Sequence, residues 1–207
     1  MRNPTASYTS VIFDLGGVLI DWNPRHLYRQ FFPGDDAGLE YFLAEVTTSE
    51  WNRELDGGRS FAEAIADLQR QHPQHRDLIA MYWDRWPEML GGVNAETAKI
   101  VRDLKASGVR VFALSDWSAE TFPFAKGIVP ELELFDDIQI SGEAGMTKLD
   151  PRAFGLAIAR FKVDPATTVF IDDAPANLDG ARSAGLTAVH FTDAEGLRTE
   201  LTDLGLL

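Results

Sequence analysis

Short apolar runs, each ending in a polar residue, recur along the chain. Val11-Ile12-Phe13 leads into Asp14, residues 109–114 into Ser115-Asp116-Trp117-Ser118, and residues 168–171 into Asp172-Asp173. A shorter run, 138–140, ends in Ser141-Gly142, and a last one spans 187–191. Continuous apolar runs of this length are typical of strands covered on both faces of a parallel sheet. Between them, apolar residues fall at helical spacing. Ile100, Val101 and Leu104 follow a candidate N-cap at Asn94 and stop near Gly108. Phe154, Ile158 and Phe161 follow Asp150-Pro151, which read as N-cap and first helical position. A further helix around 178–184 closes at Gly185. Residues 122–134 read as a helix or an irregular turn. Strand–helix units repeated with short links predict a parallel sheet with helices on both faces.

Residues 25–90 carry a different pattern. Leu39, Phe42, Leu43 and Val46 recur at helical spacing, as do Phe61, Ala64, Ile65 and Leu68, and then Leu78, Ile79, Tyr82 and Trp86. Gly57-Gly58 separates the first two groups, and no strand stands out. The expectation is a small helical domain inserted after the first strand. The boundaries are 1–22 and 92–207 for the sheet-bearing core, and 23–91 for the insertion. Its aromatics read mainly as core packing, and Trp22 as packing at the hinge.

Composition narrows the function. The 207 residues carry 19 Lys and Arg against 32 Asp and Glu, a net charge of −13. Such a surface repels phosphate backbones and argues against a nucleic-acid partner, while leaving room for a compact anionic substrate neutralised locally by a cation. Absence of cysteine removes disulfides, thiolate nucleophiles and Cys-ligated metals. The first ten residues lack signal-peptide regions, and no stretch reaches membrane-spanning length, so the expected location is cytoplasmic. The four histidines, His26, His72, His75 and His190, show no zinc-type spacing. Oligomeric state stays open between monomer and homodimer.

The polar residues at the run ends carry the candidate chemistry. Asp14, Ser115 and the pair Asp172-Asp173 would project from the carboxyl edge of one sheet, where open α/β sheets bind ligands, with Lys148 joining them from a helix start. Gly16 and Gly17 let the backbone turn and approach a ligand closely. Clustered carboxylates repel one another unless a cation shares the site. Mg²⁺, a hard ion with oxygen ligands, suits them. A serine hydroxyl donates to a phosphoryl oxygen, a lysine neutralises it, and Asp14 is free to act as a nucleophile. Singly, each has a plainer reading: Ser115 a turn, Asp172 a helix cap, Lys148 a solvated lysine.

Together these residues resemble the haloacid dehalogenase-like hydrolase superfamily over nearly the whole length. Val11-Ile-Phe-Asp-Leu-Gly-Gly-Val-Leu19 is similar to its first motif, with Asp14 as nucleophile. Ala113-Leu-Ser-Asp116 is similar to the second, with Ser115 binding phosphate. Gly145-Met-Thr-Lys-Leu-Asp-Pro-Arg-Ala-Phe154 is similar to the third, with Lys148 as its cation. Val169-Phe-Ile-Asp-Asp-Ala-Pro-Ala-Asn177 is similar to the fourth, with Asp172 and Asp173 serving Mg²⁺. The resemblance implies an α/β fold with a Rossmann-like core and a helical cap between the first two motifs. It implies a phosphatase acting on a small phosphorylated metabolite, with sugar-1-phosphate phosphatases as the group most like it.

Two positions depart from the family pattern. Where its phosphatases carry a second Asp, two residues past the nucleophile, this chain has Gly16. The Gly16 carbonyl still offers a metal ligand, but the general acid is missing, a loss of roughly 10²–10⁴-fold in rate unless the leaving group is good or another residue substitutes. Asp116, Asp21 or a cap residue are the candidates, Asp116 first because it follows Ser115. Asp116 is itself the second departure, since the family commonly has Asn there. An ionised Asp only accepts hydrogen bonds and would repel a phosphate dianion, so Asp116 is either protonated and acts as donor or acid, or points away, or marks weakened activity; a raised pKa is the expectation. In the cap, Trp51-Asn-Arg-Glu-Leu-Asp-Gly-Gly58 is placed like a loop that descends over the site in relatives. Trp51 would stack on a sugar ring and Arg53 or Glu54 would contact its hydroxyls. The plainer reading is a helix end with solvated charges. Competing functions are a metal-independent 2-haloacid dehalogenase, in which Asp14 attacks carbon, and a binding or regulatory protein with a weakened site.

Overall fold

The computed structural model of the chain describes residues 7–207. The first six residues of the expected core segment, with most of the stretch read for a signal peptide, lie outside the described residues.

Five buried runs form one parallel sheet. The strands are β1 (Ser10–Phe13), β4 (Arg110–Ser115), β5 (Asp137–Ile140), β6 (Thr168–Asp172) and β7 (Thr187–His190), in the order β5-β4-β1-β6-β7. Period-two alternation divides their side chains between two layers. Val11, Phe13, Val111, Ala113, Val169 and Ile171 belong to one apolar cluster, while Ile12, Phe112, Leu114 and Phe170 belong to the other. The first face is covered by α6 (Ala95–Ala106) and α11 (Ala194–Asp203), the second by α9 (Arg152–Phe161) and α10 (Pro175–Ser183). The result is an α/β, Rossmann-like sandwich.

Caps fall close to where the sequence puts them. Asn94 Oδ1 accepts from Thr97 N–H at 3.1 Å and starts α6, and Asp150 Oδ1 accepts from Arg152 N–H at 3.0 Å at the start of α9. Residues 122–134 hold α7 (Phe122–Ile128) and a 3-10 turn, Pro130–Leu134. Lys148 lies in the loop between α8 (Ser141–Ala144) and α9, just ahead of the helix rather than within it.

The insertion folds as helices α1 (Pro24–Tyr28), α2 (Asp36–Glu45), α3 (Ser49–Asp56), α4 (Phe61–Gln71) and α5 (Arg76–Asp84). Its aromatics pack on one another, with Tyr28 against Phe42 at 4.9 Å and Trp51 against Tyr82 at 4.9 Å between ring centroids. At the two ends of the helical stretch, where the sequence reading has no strand pair, a two-stranded antiparallel ribbon of β2 (Ile20–Trp22) and β3 (Leu90–Val93) closes its base. Leu-Gly-Gly-Val has little intrinsic strand character; pairing with β2 makes it a strand. One continuous apolar cluster runs from the sheet into these helices. Among the described residues no helix is long and apolar enough to cross a membrane.

Candidate active site

Strand register assembles the site. Phe13 pairs with Ala113 on one side and Ile171 on the other, so the next residue along each strand brings Asp14 beside Asp172. Ser115, at the end of β4, is buried in the same edge. The Asp14 N–H donates to Ile171 O at 2.8 Å and continues the ladder to the last residue before the turn.

Lys148 reaches into this edge and is only 3% exposed. Its Nζ lies 2.8 Å from Asp14 Oδ1 and 2.6 Å from Asp172 Oδ2. Asp14 Oδ1 also accepts from Leu15 N–H at 2.7 Å, so these contacts engage one oxygen and leave Oδ2 for other chemistry. Asp172 is more fully engaged: Ala174 N–H and Asn177 Nδ2 donate to Oδ1 at 2.8 and 3.0 Å, and Oδ2 accepts from Lys148 and from Asn177 at 3.1 Å. Asp172 therefore joins the Ala174 backbone of the following turn to the lysine. Burial raises the Asp14 carboxyl above its ordinary range; Lys148 opposes the shift and Asp172 adds to it. Burial works against the Lys148 ammonium, but Asp14, Asp172 and Asp116 outweigh it and hold its pKa above that of a free lysine.

Asp116 Oδ1 accepts from Lys148 N–H at 2.9 Å, tying the loop after β4 to the loop that carries the lysine. Burial raises its pKa, in the direction expected, with Lys148 opposing. Asp173 is more open, and burial together with Asp172 raises its carboxyl as well. Oxygens of Asp14, Asp172 and Asp173 all lie within 4.8 Å of one another. An all-oxygen, carboxylate-rich set of this size suits Mg²⁺. Gly17, at φ +75°, is required here twice over, because it has left-handed backbone and because a Cβ would strike the Asp173 carboxylate. Gly16 differs: a Cβ there meets nothing within 4 Å.

The cap closes the edge into a cavity of about 300 Å³, lined by Asp14, Gly16, Ser115, Asp116, Lys148 and Asp173 on the core side. From the cap side come Asn52, Asp56, Phe61 and Trp86. Three cap expectations are corrected. Residues 51–56 lie on helix α3, not on a descending loop, so its 3.6-residue period decides which side chains face the cavity. Trp51 turns inward, 7% exposed, against Tyr82. Arg53 and Glu54 line a separate open groove with Glu50 and Thr147, and Glu54 pairs with Arg59 at 2.5 Å. The residues presented to the cavity are Asn52 and Asp56, four apart on one helix face. Trp22, expected in the hinge, lines the cavity too. Asp21 does not line it; its side chain, 57% exposed, pairs with His26.

Asp56 is the residue the sequence reading passed over. Asn52 Nδ2 donates to its Oδ2 at 2.8 Å, and Tyr82 OH donates to Asn52 Oδ1 at 2.7 Å. Its carbonyl accepts from Ser141 Oγ of the core at 2.6 Å. Burial raises its carboxyl to about 7, with Asp116 adding and Ser118 N–H, Lys148 and Arg53 opposing. The available signal was the polar pair at i and i+4 just ahead of Gly57-Gly58.

Known proteins share this fold. A sesquiterpene phosphatase of Aspergillus oryzae is 26% identical over 96% of this chain and 97% of its own length. The structure of a predicted HAD-like hydrolase from Porphyromonas gingivalis superposes with a TM-score of 0.71 at 26% identity, covering 96% of this chain and 98% of that one. A HAD family enzyme of Bacteroides thetaiotaomicron, solved with magnesium and inorganic phosphate, superposes with a TM-score of 0.66 at 20% identity, over 89% and 94% of the two chains. The haloacid dehalogenase-like hydrolase profile matches residues 8–185. With that match, and with three polar strand ends and a loop lysine gathered at one sheet edge, the chain belongs to the haloacid dehalogenase-like hydrolases.

Proposed function

We propose that the protein is a Mg²⁺-dependent phosphatase that hydrolyses a small phosphorylated metabolite through an aspartyl-phosphate on Asp14. The observation that carries this reading is the buried contact of Asp14 with Lys148, set beside the acceptor oxygens of Asp172 and Asp173. Lys148 and Leu15 N–H hold Asp14 Oδ1, so that Oδ2 is aligned to attack phosphorus. A P–O bond forms to Asp14, the ester P–O bond breaks, and the alcohol departs. Water then attacks the same phosphorus, releasing inorganic phosphate and the free carboxylate. Ser115 donates to a phosphoryl oxygen, and Lys148 offsets charge on it and on Asp14. Asp14, Asp172, Asp173 and the Gly16 carbonyl would hold the magnesium ion, with Asp172 also orienting Lys148 beside it; the ion would supply charge neutralisation to the phosphoryl group.

Magnesium and phosphate bound by the Bacteroides enzyme, and the phosphatase activity in the name of the Aspergillus relative, support the same reading. Trp22, Phe61, Trp86 and Trp117 wall the cavity, so the favoured leaving group has an apolar or ring face, a sugar ring among them. The deciding experiment is hydrolysis of a panel of phosphate monoesters with Mg²⁺ by the wild type and Asp14→Asn. Turnover by the wild type, lost in the variant, is expected. Full activity of the variant, or a panel on which the wild type is inert, overturns the proposal. Chloride release from 2-chloropropionate in EDTA would instead support attack on carbon.

A further inference from the structure

We propose that Asp56, supplied by the cap, is the proton donor to the leaving oxygen and the base for the hydrolytic water; this rests on the Asp14 reading above. Asp14 is the nucleophile. Both oxygens of Asp172 already accept from Lys148, Asn177 and Ala174 N–H. Asp173 belongs with the cation cluster. Asp116 Oδ1 accepts from Lys148 N–H and so ties two loops of the core together; the Asp116→Asn variant tests separately whether its other oxygen carries the proton. Asp56 is the remaining carboxyl lining the cavity among the described residues.

Its placement is fixed from both domains. Asn52, itself oriented by Tyr82, holds Oδ2 at 2.8 Å from within the cap. Ser141 Oγ holds the Asp56 carbonyl at 2.6 Å from the core, and the Ser118 backbone in the loop after β4 favours the charged carboxyl. This tether fastens helix α3 onto the catalytic edge at the one residue whose carboxyl enters the cavity. A group held this way meets the positional demand on a general acid.

Proton balance is simple. As the ester P–O bond breaks, the Asp56 carboxyl gives its proton to the departing oxygen and is left as carboxylate. As water attacks the aspartyl-phosphate, the carboxylate takes the proton back, and Asp14 is released with inorganic phosphate. Titration at about 7, between Asp116 and Lys148 of the core, Arg53 on its own helix and Tyr82 on α5, suits both halves of this cycle. Position 16 offers a second check. Gly16 lines the same cavity, its φ is not in the left-handed region, and a side chain there meets nothing within 4 Å.

The test compares wild type and Asp56→Asn on p-nitrophenyl phosphate, whose leaving group departs as a stable anion, and on phenethyl phosphate, whose alkoxide needs a proton. Loss of a general acid should lower turnover of the alkyl ester by roughly 10²–10⁴-fold. On the aryl ester the variant should release nitrophenol in a burst equal to the enzyme concentration and then slow, because the phosphoenzyme lacks its base. Gly16→Asp added to Asp56→Asn should restore alkyl-ester turnover at least tenfold. Should Asp56→Asn not fold, Asn52→Ala, which loosens the carboxyl, is expected to show the same preference for the aryl ester. Equal losses on both esters without a burst, or no loss on either, overturn the proposal. A wild type that turns over neither ester removes the Asp14 reading and the proposal with it, whereas an active wild type with an unaffected variant removes the proposal alone.

Discussion

Lys148 Nζ sits 2.8 Å from Asp14 Oδ1, with both side chains withdrawn from water. A buried pair of this kind contributes less by its attraction than it costs when broken, because the survivor keeps its charge without solvent. Asp172, also bonded to Lys148, makes the imbalance larger, since removing the lysine leaves two carboxylates together.

Lys148→Ala is therefore expected to lose about 3–5 kcal/mol of stability, read by urea unfolding, along with phosphatase turnover. Magnesium should restore part of that stability by supplying the missing positive charge. A variant as stable as the wild type without Mg²⁺ would show that the carboxylates do not need the lysine.

Gly17 and Gly16 should respond oppositely to the same substitution. Gly17→Ala forces the Asp173 carboxylate aside and strains a φ of +75°, so the Mg²⁺ concentration for half-maximal activity should rise at least about tenfold, roughly 1.4 kcal/mol of lost binding. Gly16→Ala has open space and should change that requirement little. Thermal shift on Mg²⁺ titration checks both without turnover.

Asp116→Asn keeps an oxygen to accept the Lys148 N–H and removes a negative charge from the cavity. Turnover should stay within several-fold, with an unchanged or lower KM for phosphate esters. Asp116→Ala unties the two loops and should cost about 1–3 kcal/mol, the usual cost of an orphaned buried group. A thousandfold loss in the Asn variant would instead make Asp116 the proton donor.

Acid should stabilise the metal-free protein relative to neutral pH. Burial raises Asp56 from 3.8 in the open chain to about 7, and raises Asp14 in the same direction. The folded state then binds more protons than the unfolded state in this window. The contribution is full below about 4 and is lost as pH rises through about 7, up to about 4 kcal/mol for Asp56 at 1.36 kcal/mol per unit. Chemical denaturation of wild type and Asp56→Asn at pH 5 and pH 8 isolates the difference: the gap between them should favour the variant more at pH 8.

Much of the core was readable along the chain because each of its features is local. Continuous apolar runs mark strands covered on both faces, and the residue that ends each run must emerge at the sheet edge. That places Asp14, Ser115 and Asp172 from periodicity alone. Other features depend on what meets what in space. Helix α3 has a polar face at Asn52 and Asp56 and an apolar one at Trp51 and Leu55, but nothing within it says that the polar face would meet the catalytic edge. Leu90–Val93 became a strand only because Ile20–Trp22 lay beside it. Sequence determined which residues could form the site and the elements that carry them. Tertiary packing decided which cap carboxyl faces it, because the phase of a helix is local while the surface it docks against is not.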